Sequence, residues 1–356
     1  MRFDRDVPVV VIGSGQAGLA VSYYLRRFEL AAGQDFVVLD RGPGAGGAWQ
    51  HRWPSLRLGS AHRVHDLPGM AELDLSFDTA ARDVPARDIV ADYYRRYEEH
   101  FQLHVERPVT VRSVVNSGAD LVVHTDRGSI GTRFVVNATG TWGAPFIPHY
   151  PGVMDFAGRH LHTADYVSAE DFRDKNVIVV GGGTSAIGFM LELEGVASGL
   201  TWVARRPIDW LDSEQLDVEG AAEAVAAQDR AARAGQALPS IVSGTGVPKT
   251  RRIAAGIHRG LLVAKPMFSV LEPGGARWAD GSVVPADAII WATGFRPELR
   301  HLAPLKLREA AGGVTVGSGA SWTDPRIFLA GYGPQASTIG ASRAGRTIAR
   351  QIMALL

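Results

Sequence analysis

Two glycine-rich stretches have the spacing that cradles phosphate. Gly13, Gly15 and Gly18 form a G-x-G-x-x-G turn around Ser14, Gln16 and Ala17. Gly181, Gly183 and Ala186 form the G-x-G-x-x-A variant around Gly182, Thr184 and Ser185. The first glycine of such a turn permits the tight bend. The second lets backbone N–H groups approach a pyrophosphate, and the third position lets helix and strand pack closely. The N-terminus of the following helix adds partial positive charge. A glycine turn alone is a weak signal, and the residues that follow each turn sharpen it. After the first turn, the next strand ends on Asp40 with Arg41 beside it, and a carboxylate there accepts from the hydroxyls of an adenosine ribose. After the second, the strand ends on Arg205 and Arg206, where two guanidinium groups suit a ribose 2′-phosphate. The plain alternative for that pair is a solvated surface couple. The simplest assignment is FAD on the first turn and NADPH, in preference to NADH, on the second. A chain with both moves hydride from nicotinamide to flavin.

The onward route of the electrons is narrowed by what the chain lacks. With no cysteine there is no dithiol to reduce, no thiolate metal site and no disulfide framework. His100 and His104 stand one helical turn apart, but they close a charged segment, YRRYEEHFQLH, where solvated or capping roles are expected, so no metal is assigned. Dioxygen or a small external acceptor remains.

The elements that position these groups repeat. Val9 to Ile12 is an apolar β-branched run that leads into the first turn, a helical pattern and a second apolar run at residues 36–39. Asn176 to Val180 leads into the second turn, a helix over residues 187–193 and a strand over residues 200–203. Each is a strand–turn–helix–strand unit. Between them, residues 42–68 read as loop and residues 86–101 as helix. Residues 109–115, 121–125 and 134–136 read as strands of a smaller sheet. Residues 214–234 read as an alanine-rich helical insertion, 312–319 as hairpin-like and 342–356 as a helix. Residues 135–140 and 289–294 are both short apolar strands ending in Ala-Thr-Gly, as at two crossings between domains. The expected fold class is α/β: two doubly wound, Rossmann-like dinucleotide-binding domains. The FAD domain is discontinuous, residues 1–150 and 297–356, with the NADPH domain inserted as residues 151–296.

Size and charge agree. A chain of 356 residues suggests about two domains, and 46% apolar residues support a large core. The 37 basic and 37 acidic residues balance, which argues against a nucleic-acid-coating protein. No apolar run approaches the roughly 18 residues of a membrane span, and the first apolar stretch runs into a glycine turn rather than a cleavage site. The expectation is a cytoplasmic protein that binds neither membrane nor nucleic acid, with a homodimer left open.

These residues resemble the flavin-containing monooxygenases with two dinucleotide domains, over nearly the whole chain. Gly15-Gln16-Ala17-Gly18 has the form of their first turn, and Gly46-Gly47-Ala48-Trp49 resembles their flavin-contacting GGxW loop. Asn137-Ala138-Thr139-Gly140 and Trp291-Ala292-Thr293-Gly294 resemble their two ATG linkers. The segment from Leu329 to Gln335 resembles the one that returns to the flavin. The most specific match is Phe156-x-Gly158-x-x-x-His162-x-x-x-Tyr166, which is similar to the group's oxygenation fingerprint. Members that oxidise nitrogen and sulfur carry Tyr or Phe at its last position, whereas Baeyer–Villiger relatives carry Trp followed by Pro or Asp. Tyr166-Val167 leans toward the former. Some short bacterial members lack basic residues at the second strand end and take NADH; Arg205 and Arg206 set this chain apart from them.

The resemblance implies an FAD- and NADPH-dependent monooxygenase in which reduced flavin and dioxygen give a hydroperoxide that oxygenates a soft nucleophile, a sulfide or an amine. His162 takes a linker role, and no acid–base residue is assigned. Trp49, Trp53 and Arg57 are candidates for flavin contacts, His62 for the substrate side, and Val109 and Val111 for the adenine, with ordinary core packing the alternative for each tryptophan and valine. A Baeyer–Villiger enzyme, an NADPH oxidase or flavin reductase without oxygen transfer, and a non-catalytic redox sensor are the competing readings.

Overall fold

The computed structural model describes residues 5–61, 64–212, 218–238, 246–317, 319–336 and 338–356. It divides into two compact units, residues 1–143, 226–238 and 297–356 in one, and 144–225 and 239–296 in the other.

The first unit is built on Val9–Ile12. Both faces of this strand are apolar, and only a central position in a covered sheet satisfies both. It pairs in parallel, residue for residue, with Phe36–Leu39 on one side and Phe134–Asn137 on the other. The seven-stranded sheet runs 316–317, 320–321, 327–329, 134–137, 9–12, 36–39, 105–106. The strands from 327–329 to 105–106 are parallel, and the two short strands at 316–321 are an antiparallel hairpin. Alternate residues feed two cores. Val10, Ile12, Val37 and Leu39 join Leu302 and Ile327 on one face. Val9, Val11, Phe36 and Val38 join Val21, Leu25 and Ile348 on the other. Each such side chain contributes about 1.5–3 kcal/mol on full burial. The helix Gln16–Arg27 packs on the final helix Thr338–Leu355 so closely that a Cβ at Gly345 would lie 2.8 Å from the Ala20 carbonyl carbon.

The smaller sheet differs from expectation. Val111–Ser117, Asp120–Thr125 and Gly128–Thr132 form an antiparallel meander, and Arg5–Asp6 pairs in parallel with its last strand. Phe134–Asn137 lies in the seven-stranded sheet instead, because all four of its residues are buried and a meander with one open face has no place for them. Gly128–Thr132 gave no strand signal; its Gly, Ser and Thr residues are recruited by the edge of Asp120–Thr125. Residues 226–238 pack with the first unit although they fall in the span expected for the second. Ala232, at the end of the helix Val218–Arg233, is fully buried beside Leu302 and Tyr332. The backbone N–H of Ala237 then donates to Ala311 (3.1 Å), and that of Gly313 to Gly235 (3.0 Å). Residues 214–217 of the expected insertion lie outside the described residues.

The second unit holds a four-stranded parallel sheet, in the order 199–203, 176–180, 288–291, 159–162. The helix Thr184–Leu193 follows its glycine turn. A three-stranded antiparallel sheet at 270–272, 275–277 and 283–285 completes the unit's strands together with the pair 210–211 and 247–248. Trp202 and Trp291 are fully buried within the unit. Among the described residues no helix is long and apolar enough to cross a membrane.

Candidate functional site

In the first unit a cavity of about 320 Å³ opens where the first glycine turn meets the ends of the parallel strands. This is the position in an open α/β sheet where ligands bind. Its walls come from the turn (residues 13 and 15–17), the strand end 40–42, the loop 46–51, and segments 109–111, 138–142 and 330–336. Of the residues singled out from sequence, Gly13, Gly15, Gln16, Ala17, Asp40, Arg41, Gly47, Ala48, Trp49, Val109, Ala138, Thr139, Gly140 and Gln335 all line it, as does Val111. Gly18 sits behind the turn: a Cβ there would be 1.9 Å from the Gly13 carbonyl oxygen. Trp53 is buried away from the cavity, and Arg57 is exposed, its backbone bridged to Pro85. His62 lies outside the described residues.

Asp40 is held before any ligand arrives. Its Oδ2 accepts from Ser14 N (2.7 Å) and Ser14 Oγ (2.9 Å), and its Oδ1 from Gly42 N (2.7 Å). A carboxylate accepts about four hydrogen bonds, so one site remains for a ribose hydroxyl. Behind Ser14, Arg107 Nη2 donates to its Oγ (2.6 Å), and Arg107 meets Glu98 in a two-pronged ion pair at 2.7 and 2.6 Å. The pair is nearly buried, with side-chain exposures of 13% and 10%. Burial raises the Glu98 carboxyl above the usual range, and Arg107 opposes the rise. Sequence reading missed this relay. Glu98 looked like one charge among several on the helix Ala86–His100, and no spacing rule joins Arg107 to Ser14.

Beside the turn, the segment after Asn137 is pinned from several directions. His301 Nε2 donates to Asn137 Oδ1 (2.7 Å), and Thr139 Oγ1 lies 3.2 Å from the same oxygen. The amide oxygen carries no proton, so the ring's hydrogen is on Nε2. Burial, then the charge of Arg41, lower the His301 pKa to about 4, and the ring is neutral near pH 7. Gln16 donates to the His65 carbonyl (3.0 Å) and Ser342 Oγ (3.1 Å), and accepts from the Tyr94 hydroxyl. On the wall formed by residues 46–51, His51 stacks parallel to Trp142 at 6.4 Å, and the Arg52 guanidinium lies 4.4 Å from the Trp142 ring and 5.4 Å from that of Trp49. Burial and the nearby Arg41 lower the His51 pKa.

Two lining side chains offer a ligand something definite. Glu298 Oε2 and Gln335 Oε1 are buried acceptors without a hydrogen-bond partner among the described residues. Such atoms cost about 1–3 kcal/mol each unless a donor reaches them. A dinucleotide brings ribose hydroxyls and ring N–H groups as donors, and the helix that begins at Gln16 would offer its free N–H groups to the phosphates. The residues present fit FAD.

The second unit repeats the plan. Gly183 caps the helix, so Thr184, Ser185 and Ala186 occupy its first turn, whose N–H groups have no intrahelical acceptor. Arg205 and Arg206 are exposed and make no hydrogen bond or ion pair with the described residues. The fingerprint residues serve the fold. His162 Nδ1 accepts from Ala164 N (3.1 Å) and its Nε2 donates to the Gly294 carbonyl (3.0 Å). That ties the strand Arg159–His162 to Thr293-Gly294, and Thr293 Oγ1 donates to the Phe146 carbonyl. A Cβ at Gly158 would lie 2.5 Å from the Asp287 carbonyl oxygen, and Phe156 is buried. Tyr166 is 3% exposed, stacks on Phe172 at 5.9 Å and donates to Glu192 (3.1 Å). Its ring belongs to the core of its own unit, which weakens its use as a reporter of the oxygen chemistry.

Comparison with known proteins places these features. Residues 10–219 match the family profile of the pyridine nucleotide-disulphide oxidoreductases. The solved structure of a flavin-containing monooxygenase from Stenotrophomonas maltophilia is 34% identical, with 99% of each chain covered and a TM-score of 0.82. An uncharacterized oxidoreductase, CzcO, of Bacillus velezensis is 26% identical over 82% of this chain and 81% of its own. A senecionine N-oxygenase of Tyria jacobaeae is 26% identical over 60% of this chain and 50% of its own.

Proposed function

Because the chain belongs to the pyridine nucleotide-disulphide oxidoreductase family, and within it to the flavin-containing monooxygenases, we propose that it oxygenates a small soft nucleophile, a sulfide or an amine. Its cofactors are FAD and NADPH. When bound, FAD takes hydride from NADPH and activates dioxygen, so that one oxygen atom enters the substrate and the other leaves as water. We assign FAD to the first unit and NADPH to the second.

The observation that carries the reading is the pairing of two dinucleotide turns with a complete absence of cysteine. The disulfide branch of the family needs a dithiol to receive electrons, and this chain has none. In the first unit, Asp40 would hold the adenosine ribose, and the N–H groups after Gly15 would meet the pyrophosphate. His51 and Trp142, beside Arg41 and Gly143, would supply an aromatic wall at the adenosine end of the cavity. In the second, the first turn at Thr184–Ala186 meets the NADPH pyrophosphate, and Arg205 and Arg206 clamp its 2′-phosphate. The N-oxygenase among the relatives supports a heteroatom as the target.

The test compares a thioether, a tertiary amine and a cyclic ketone under air, with NADPH consumption, product and hydrogen peroxide measured together. Sulfoxide or N-oxide formed in step with NADPH is the expected result. Ester from the ketone alone would identify a Baeyer–Villiger enzyme. Stoichiometric peroxide whatever the substrate would identify an oxidase, and flavin reduction without turnover a sensor.

A further inference from the structure

The cavity of the first unit is crossed at its rim by one ion pair. Arg41 Nη1 lies 2.7 Å from Glu298 Oε1, joining residues 257 positions apart in sequence. We propose that Glu298 is a cofactor-binding acid, and that with Arg41 it forms a latch over the adenosine half of bound FAD. The proposal rests on FAD occupying this cavity.

Both ends of the pair are fixed. Arg41 follows Asp40, whose side chain is locked by Ser14 and Gly42. Glu298 donates through its backbone N–H to the Gly140 carbonyl (3.0 Å) and accepts at its own carbonyl from Thr139 Oγ1 (2.8 Å). The pair lies over Gly143, where a Cβ would sit 2.0 Å from Arg41 Nη2 and 2.1 Å from Glu298 Oε2. Only glycine leaves room for it.

Glu298 uses one carboxylate oxygen on Arg41. The other, Oε2, is buried without a hydrogen-bond partner among the described residues, and both side chains line the cavity. Arg41 follows Asp40, and the Val109 N–H donates to the Asp40 carbonyl (2.8 Å), so the pair sits beside the acid assigned to the adenosine ribose. The groups there that can donate to Oε2 are a ribose hydroxyl and the adenine amino group. An isolated carboxylate at this place would repel the pyrophosphate. Arg41 cancels that charge and leaves the acceptor free, so the two residues act as a unit.

FMN lacks the adenosine half, so it separates this role from a general effect on the fold. Apo-protein is titrated with FAD and with FMN, following flavin fluorescence, with thermal unfolding of each apo-variant as the control. Glu298→Ala and Gly143→Ala should each weaken FAD roughly 10- to 100-fold and leave FMN unchanged. Arg41→Ala should weaken FAD further and speed its dissociation, because the acid is then uncompensated. Adding Glu298→Ala to Arg41→Ala should recover part of the loss. If the wild type binds FAD no better than FMN, the FAD reading of the cavity fails. If the wild type prefers FAD and Glu298→Ala keeps that preference in full, or the double variant is weaker than Arg41→Ala, the latch is overturned.

Discussion

The two glycine turns share one backbone plan and differ in side chains. Gly13 N donates to the Leu39 carbonyl at 2.7 Å, and Gly181 N to that of Val203 at 2.9 Å. Ala138 N donates to Ile12 and Ala292 N to Val180, both at 2.8 Å. A Cβ at Gly13 would meet the Ala138 carbonyl oxygen at 2.5 Å, and one at Gly181 that of Ala292 at 2.2 Å. So the alanine of each Ala-Thr-Gly segment requires the first glycine of each turn. Beyond that the turns part. The Gly13 carbonyl is covered by Gly18, whereas the Gly181 carbonyl accepts from Trp202 Nε1 (2.7 Å) and the third position tolerates Ala186. At the strand ends, Asp40 is 9% exposed and almost saturated with donors, while Arg205 and Arg206 stand exposed without partners among the described residues. One strand end is organised in advance by its own donors. The other presents two exposed charges.

The sharpest way to break the parallel is at the third position. Gly18→Ala places a Cβ 1.9 Å from a backbone oxygen, an overlap that only a shift of helix against strand relieves. The expected cost is about 3 kcal/mol or more, read by urea or thermal unfolding. Ala186→Gly should cost under about 1 kcal/mol, the ordinary penalty of glycine in a helix. Equal effects would show that the two turns pack alike. The next largest effect is expected at the acid. Asp40→Ala strands the donors Ser14 N, Ser14 Oγ and Gly42 N, and should cost about 2–3 kcal/mol even without cofactor. Unchanged apo-protein stability would mean that these donors find water.

The arginines should behave in the opposite way. Arg205→Ala with Arg206→Ala removes no hydrogen bond or ion pair among the described residues, so stability should stay within about 0.5 kcal/mol. The Michaelis constant for NADPH should rise roughly 10- to 150-fold, that for NADH should hardly move, and the maximal rate of flavin reduction should be little changed. Equal weakening of NADH and NADPH would make the pair structural and remove the basis for the cofactor preference.

The plan of both units could be read from sequence because it rests on local signals: continuous apolar runs, glycine spacing and the charge at a strand end. The misreadings had a common cause. Phe134–Asn137 joined the larger sheet, and residues 226–238 joined the first unit, because long-range burial decided between placements that local pattern left equal. The Glu98–Arg107–Ser14 relay and the His301–Asn137 bond were invisible for a related reason: their partners meet only once the sheet has formed. Arg57 shows the reverse error. An arginine near a flavin-loop motif looked functional, but the chain turns it outward.

The two crossing segments allow a final, smaller test of the parallel, since each is held by a neutral histidine. His301 donates to Asn137 in the first unit and His162 to Gly294 in the second. Both rings have lowered pKa values, but for His301 burial and the Arg41 charge act together, giving about 4. For His162, burial is opposed by the Gly294 carbonyl and Asp165. Above a pH of about 6.5, neither the folded nor the unfolded chain protonates these rings, and their contribution to stability is complete. As pH falls from about 6.5 toward 4, the unfolded chain takes up a proton at position 301 that the folded chain refuses, so stability falls; below about 4 the loss levels off. The expected loss from this one group is about 1 kcal/mol between pH 7 and pH 5.5. His301→Gln keeps an N–H donor for Asn137 but removes the titration, so its unfolding free energy should fall less steeply across that window than the wild type's. His162→Gln should flatten the profile by less. Equal flattening by the two would mean that Arg41 adds nothing at His301, and no flattening by either would mean that both rings titrate normally in the folded chain.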